Sequence, residues 1–214
     1  MTKSQINERR IVACDIESTG LVASEGLLLE VALVVLDNDL NELGSHTYFV
    51  PAEPEAVAAA VQDPIVREMH ENSGLRAEHE HDSRMLKFAG FKLEMVRTLR
   101  EQDAAKFIRQ HGALDAPLLG NNVGFDREWL NAHQPILARH FHYRIIDVSS
   151  VKELARRWVP SVLEGAPVKR GVHRGLADIR ESIAELKHYR GAGLFDPPAL
   201  ISRQGSPDAS GEGF

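Results

Sequence analysis

Apolar residues in this chain fall into two kinds of pattern. Residues 10–17 open with Ile11, Val12, Ala13 and Cys14, then alternate acid, apolar, acid through Asp15, Ile16 and Glu17. Ser18, Thr19 and Gly20 follow as a turn signal. A short apolar run bounded by turn residues reads as a strand. The Leu/Val-rich stretch 27–37 predicts a second strand, and 44–50, with Thr47 and Phe49 alternating, a third. Asn38, Asp39, Leu40 and Asn41 give a tight connection between them, so the three strands form an antiparallel meander. Beyond Pro51 the period lengthens. Residues 55–61, 64–71 and 84–110 predict helices, 117–120 a short fourth strand, 126–133 a helix start and 142–148 a fifth strand. Residues 151–158 and 174–190 have helical spacing, the latter through Leu176, Ile179, Ile183 and Leu186. Strands first, then strand–helix alternation, predict an α/β fold: a mixed five-stranded sheet flanked by helices.

Composition narrows the class. The chain has 214 residues, of which 43% are hydrophobic and 26% charged, which suits one globular domain over 1–190 and excludes a fibrous or disordered chain. Residues 191–214, rich in Gly, Pro and Ser, read as a flexible tail. Cys14 is the only cysteine, so a disulfide scaffold is excluded and a reducing, cytoplasmic setting is expected. The best apolar run, 27–36, is interrupted by Glu30 and falls short of the roughly 20 residues that span a bilayer. The polar N-terminus argues against an export signal. With 25 basic against 31 acidic residues the formal charge is −6. That disfavours a protein that coats long or duplex nucleic acid, but not one that grips a short phosphate-bearing ligand by local contacts or through metal ions.

The chemistry starts with Asp15 and Glu17. Two positions apart on a strand, they face the same way, and close like charges need a cation or a shared proton. Oxygen ligands suit hard cations such as Mg²⁺ or Mn²⁺. Taken alone, such a pair is more often a solvated strand end. Asp126 sits just past the fourth strand, where it is either a further acid of the site or an ordinary helix N-cap. His173 and Asp178 lie five residues apart, about 140° around a helix, so the histidine is placed in the loop and the aspartate inside the helix, facing the sheet. His79, Glu80, His81 and Asp82 lack a second half-site for zinc and read as an exposed, charged helix or loop.

Together, Asp15-x-Glu17, Asp126 and His173-x4-Asp178 resemble the signature of the DEDDh 3′→5′ exonucleases, which share a ribonuclease-H-like fold. The runs 15–21, 73–75, 141–149, 152–158 and 177–182 are similar to the oligoribonuclease branch of that family. The resemblance implies two divalent cations, Mg²⁺ or Mn²⁺, held by Asp15, Glu17, Asp126 and Asp178, where they would stabilise the attacking and leaving oxygens of phosphodiester hydrolysis. It implies that His173 is the general base. The implied substrate is short single-stranded RNA, from dinucleotides to oligomers of a few residues, cut to 5′-mononucleotides. By the same resemblance, Asn122, Arg144 and Ser149 cap the 5′ phosphate, His142 and Tyr143 are contributed across a homodimer, and Leu21 wedges against the bases. The sequence itself offers only Tyr143 and Trp158 as an interface. Two positions depart from the family pattern: Asn122 stands where a serine is expected, and Ile65 where an aromatic residue would stack on a base. Two rivals remain, a relative that acts on DNA or longer RNA, and a non-catalytic binding module, which should lack one of the acids.

Overall fold

The computed structural model describes residues 9–168, 171 and 173–195, so most of the expected tail, 196–214, lies outside the described residues. Five strands form one sheet: β1 (Ile11–Ser18), β2 (Leu28–Leu36), β3 (Glu42–Phe49), β4 (Ala116–Gly120) and β5 (Phe141–Asp147), in the spatial order β3-β2-β1-β4-β5. β1 pairs antiparallel with β2, and β2 antiparallel with β3, which is the expected meander. β4 joins β1 in parallel and β5 joins β4 in parallel, as strands separated by helical crossovers do.

The helices are α1 (Pro54–Ala60), α2 (Pro64–Asn72), α3 (Leu75–Phe88), α4 (Leu93–Gln110), α5 (Val123–His133), the single turn α6 (Pro135–Ala138), α7 (Val148–Trp158) and α8 (Gly175–Gly191). The stretch 84–110, expected to be one helical segment, is two helices. Gly90, at φ +82°, breaks it, since only glycine enters that region without strain. Residues 75–83, read from the sequence only at 79–82 and there as a helix or loop, begin α3 behind Gly74, which is also left-handed. The cluster 79–82 is on that helix but is not wholly exposed. His79 is buried, with Nε2 2.9 Å from the Val50 carbonyl, and Asp82 accepts a two-pronged bond from Arg100.

Alternation along the sheet divides the core in two. Val12, Cys14 and Ile16 of β1 face α4, α5 and α6, packing with Ala104, Ile108, Trp129, Leu130 and Leu137. Ala13 faces the other way, with Ala32, Val34 and Leu36, against Val148 and Ala155 of α7 and Ile179, Ile183 and Leu186 of α8. Each fully buried leucine or isoleucine contributes about 1.5–3 kcal/mol, so both layers are held firmly. The second layer positions the site. Continuing the alternation from Ala13 puts Asp15 and Glu17 on the α8 face, and from Ala32 puts Glu30 there as well. A Cβ on Gly175 would lie 2.6 Å from the Cβ of Ala32. Glycine at the start of α8 therefore lets that helix end descend onto the strands carrying the acids.

Candidate active site

Asp15, Glu17 and Asp178 meet where β1 runs out beneath the first turn of α8, and they offer oxygens that all lie within 4.8 Å of one another. Asp126 enters from the opposite side, in the first turn of α5. It is not the N-cap of that helix: Asn122 holds that position in a left-handed conformation, φ +54°. Instead the Oδ1 of Asp126 accepts a 3.0 Å bond from the Ile16 backbone N–H, which pins the carboxylate between the two acids of β1. A Cβ on Gly120 would stand 2.8 Å from the Cys14 carbonyl, so glycine is what allows β4 to deliver its loop this close to β1.

The four acids line one cleft of about 250 Å³, together with Leu21, Asn122 and His173. Leu21 is presented by a loop closed at its base, where Thr19 N–H donates to the Leu27 carbonyl at 3.0 Å and its Oγ1 accepts from Leu27 N–H at 2.8 Å. The leucine tip is 77% exposed, an apolar wedge standing free in the mouth. His173 lies in the loop before α8, also at a positive φ of +53°. Ile65 lines an adjoining hollow shared with His173.

Charge in this cleft is strongly frustrated. Burial pushes the Asp15 carboxyl well above its usual range, and Asp126, Glu17 and Asp178 push it further. Burial, then Glu30 and Asp178, raise Glu17 to about 8, against the opposing pull of Arg174. Burial raises Asp126 to about 7 despite its backbone hydrogen bonds. An all-carboxylate donor set this crowded fits a hard divalent cation, which would offset the burial and mutual repulsion that favour the protonated forms.

The remaining expected residues lie apart from the acids within one chain. Asp147 organises two segments: its Oδ1 accepts from Asn122 N–H at 2.9 Å and from Ser149 N–H at 3.0 Å. Ser149 Oγ donates to Asn121, Asn121 donates to Ser182, and Ser182 donates to the Asp178 carbonyl. This relay joins the Ser149 end to the helix that carries Asp178. His142 and Arg144 do not line the cleft; they border a separate hollow with Arg9 and Arg10. The Arg144 guanidinium lies 5.2 Å over the Tyr143 ring, and Tyr143 is 73% exposed.

Four residues of the site went unread in the sequence. Glu30, 2% exposed, pairs with Glu17 across β1 and β2. Its signal was there, as the lone charge in an apolar strand. Arg174 forms an ion pair with it at 3.4 Å. His70 is buried against the cleft, and neither ring nitrogen has a hydrogen-bond partner among the described residues. Neither His70 nor Asn121 carries any signal in periodicity.

Comparison with known proteins agrees with this architecture. A family model described as an exonuclease, of the RNase T type, matches residues 12–186. The oligoribonuclease of Streptomyces coelicolor is 43% identical over 88% of this chain and 89% of its own length. That of Leifsonia xyli subsp. xyli is 43% identical over 91% and 89%. Among solved structures, the zinc-bound form of E. coli exonuclease I with single-stranded DNA superposes with a TM-score of 0.56 at 17% identity, over 87% of this chain. Exonuclease I of Methylocaldum szegediense gives 0.52 at 18% over 86%. The chain spans about two-fifths of those longer proteins, and the likeness at that identity is one of fold. The extent and identity of the sequence matches establish that the chain belongs to the RNase T-type exonuclease family, in its oligoribonuclease branch.

Proposed function

We propose that this exoribonuclease removes 5′-mononucleotides from the 3′ end of RNA only a few nucleotides long, with dinucleotides its best substrate. The observation that carries the reading is the convergence of Asp15, Glu17, Asp126, Asp178 and His173 on one cleft. Asp15, Glu17, Asp126 and Asp178 would hold two divalent cations, Mg²⁺ or Mn²⁺. When bound, such ions supply Lewis-acid stabilisation of the reacting phosphate and acidify water. His173, on the loop at the cleft rim, takes the proton from the attacking water, a duty suited to an imidazole. Leu21 inserts beside the bases, and Ile65 gives the 3′ base an apolar but non-stacking contact.

The far end of the substrate sets its length. Asn122 and Ser149, both organised by Asp147, receive the 5′ phosphate with Arg144, whose guanidinium is the natural phosphate reader. His142 and Tyr143 reach the site from a second copy in a homodimer. The exposure of Tyr143 and Trp158, 73% and 69%, and the position of β5 at the edge of the sheet among the described residues support that arrangement. It also accounts for residues that stand away from the cleft in a single chain. A local grip of this kind suits an enzyme of net charge −6, a balance that disfavours coating long nucleic acid. Among the described residues no helix is long and apolar enough to cross a membrane; the single, unpaired thiol of Cys14 suits work in the reducing cytoplasm.

The test is hydrolysis of a 5′-labelled RNA dinucleotide beside a heptamer, with Mn²⁺ and with chelator. Rapid metal-dependent cleavage that falls steeply with length is expected. Equal rates from two to twenty nucleotides would assign the chain to long-strand trimming instead. Binding without turnover at any metal concentration would make it a binding module.

A further inference from the structure

We infer that Arg174 is a positioning residue, and that with Glu30 and Glu78 it forms a charged fork that holds His173 over the cleft. The inference rests on the proposed role of His173 and adds three residues to it.

His173 occupies a left-handed backbone conformation at φ +53°. Such a conformation in a non-glycine residue costs on the order of 1–3 kcal/mol and persists only where the surroundings over-determine it. The surroundings are supplied by the next residue. The Arg174 backbone N–H donates to Asp178 Oδ2 at 3.1 Å. Its side chain lies between two carboxylates from different layers of the fold. Nη1 and Nη2 meet the two Glu78 oxygens at 3.0 and 2.8 Å, and Nε stands 3.4 Å from Glu30 Oε2. A planar guanidinium held on two sides fixes the direction of its main chain far better than a flexible ammonium would.

Each partner has a separate reach. Glu30 is rooted in β2 directly across from Glu17, so it ties the loop to the floor of the cleft. Glu78 belongs to α3, which packs on α2, the helix whose Met69 and His70 form the opposite wall. Arg174 therefore sets the separation between that wall and the start of α8. The Arg174–Glu78 arm is partly exposed, 28% and 53% by side chain, and such a pair contributes little to stability, whereas a misplacement of about 1 Å near reacting groups can cost a hundredfold in rate.

Steady-state kinetics on an RNA dinucleotide with Mn²⁺ test the assignment. Arg174→Ala is expected to lower kcat by about 10- to 100-fold with little change in KM, and added guanidinium is expected to restore part of that loss. In His173→Ala, which is itself impaired, adding Arg174→Ala should cost almost nothing more, because the fork then has no imidazole to aim. Should Arg174→Ala fold poorly with Glu30 left unpaired, Glu30→Gln/Arg174→Ala removes the orphaned charge and must still show the kcat loss. Arg180→Ala, on α8, breaks a two-pronged bond to Glu42 of β3 and should leave kcat unchanged. A kcat for Arg174→Ala within twofold of the parent, or losses that multiply in the double variant, would overturn the inference. Full activity in His173→Ala would instead overturn the base assignment, and this inference with it.

Discussion

Replacing Glu17 with glutamine should stabilise the metal-free protein while abolishing its activity, and the size of the gain follows from the cleft. Glu17 is 7% exposed, and burial, Glu30 and Asp178 together raise its carboxyl from 4.5 to about 8. A carboxyl whose pKa is raised by folding keeps its proton in the native state while the unfolded chain releases it. Its contribution is therefore intact below pH 4.5 and drains away as pH rises through about 8. At pH 7 the drain covers some 2.5 pH units, about 3 kcal/mol at 1.36 kcal/mol per unit. Neighbouring acids share protons, so a measured gain of roughly 1–3 kcal/mol is the reasonable expectation. For a chain of this size that corresponds to about 2–12 °C in Tm. Thermal unfolding in chelator, followed from pH 4.5 to 8, should show the two proteins coinciding at the acid end and diverging steadily above it. With saturating Mn²⁺ the order should reverse, because the parent gains binding energy that the variant cannot. An advantage that is absent at pH 8, or the same at every pH, would refute the claim that Glu17 is held buried and against its neighbours' charge.

Three further outcomes are expected. His173→Ala should bind Mn²⁺ as the parent does, measured by calorimetry, yet lose at least about a hundredfold in kcat; a rate within twofold would remove His173 from the chemistry. Ile65→Trp should restore a stacking surface beside the cleft and lower the KM for a dinucleotide, since base–aromatic stacking contributes about 1–3 kcal/mol; an unchanged KM would mean that no base reaches this hollow. Tyr143→Ala combined with Trp158→Ala should shift the chain toward monomer in analytical ultracentrifugation and slow dinucleotide cleavage in step. Dissociation with full activity would show that the second copy contributes nothing to the site.

Legibility of this fold in the sequence had a physical limit. Period-two alternation assigns a face to every residue of β1, so the shared direction of Asp15 and Glu17 was readable from one strand. Helical spacing likewise placed Asp178 within α8 and left His173 outside it. Periodicity does not say which elements meet. That Asp126 reaches β1 depends on a hydrogen bond to Ile16 spanning 110 residues, and only the family resemblance joined them beforehand. The break at residues 89–92 was missed because Ala89 and Phe91 extend the apolar pattern through it, while Gly90 alone turns the chain.

Glu30 shows how such a residue can be found from first principles. A single charge inside nine consecutive buried positions is too costly to be incidental unless something opposite compensates it. The sequence stated the cost, and only the packing revealed the compensation: an arginine brought within 3.4 Å by a helix that glycine allows onto the sheet. The same logic runs through the whole cleft. Ala13, Ala32 and Leu119, with the apolar face of α8, anchor that helix against the sheet. The acids can then be crowded at its rim at an energetic cost that the packing beneath absorbs and a cation relieves. Weakening that layer, for example by Ile179→Ala at an expected 2–5 kcal/mol, should therefore depress cation affinity as well as stability. A purely local site would lose only the second.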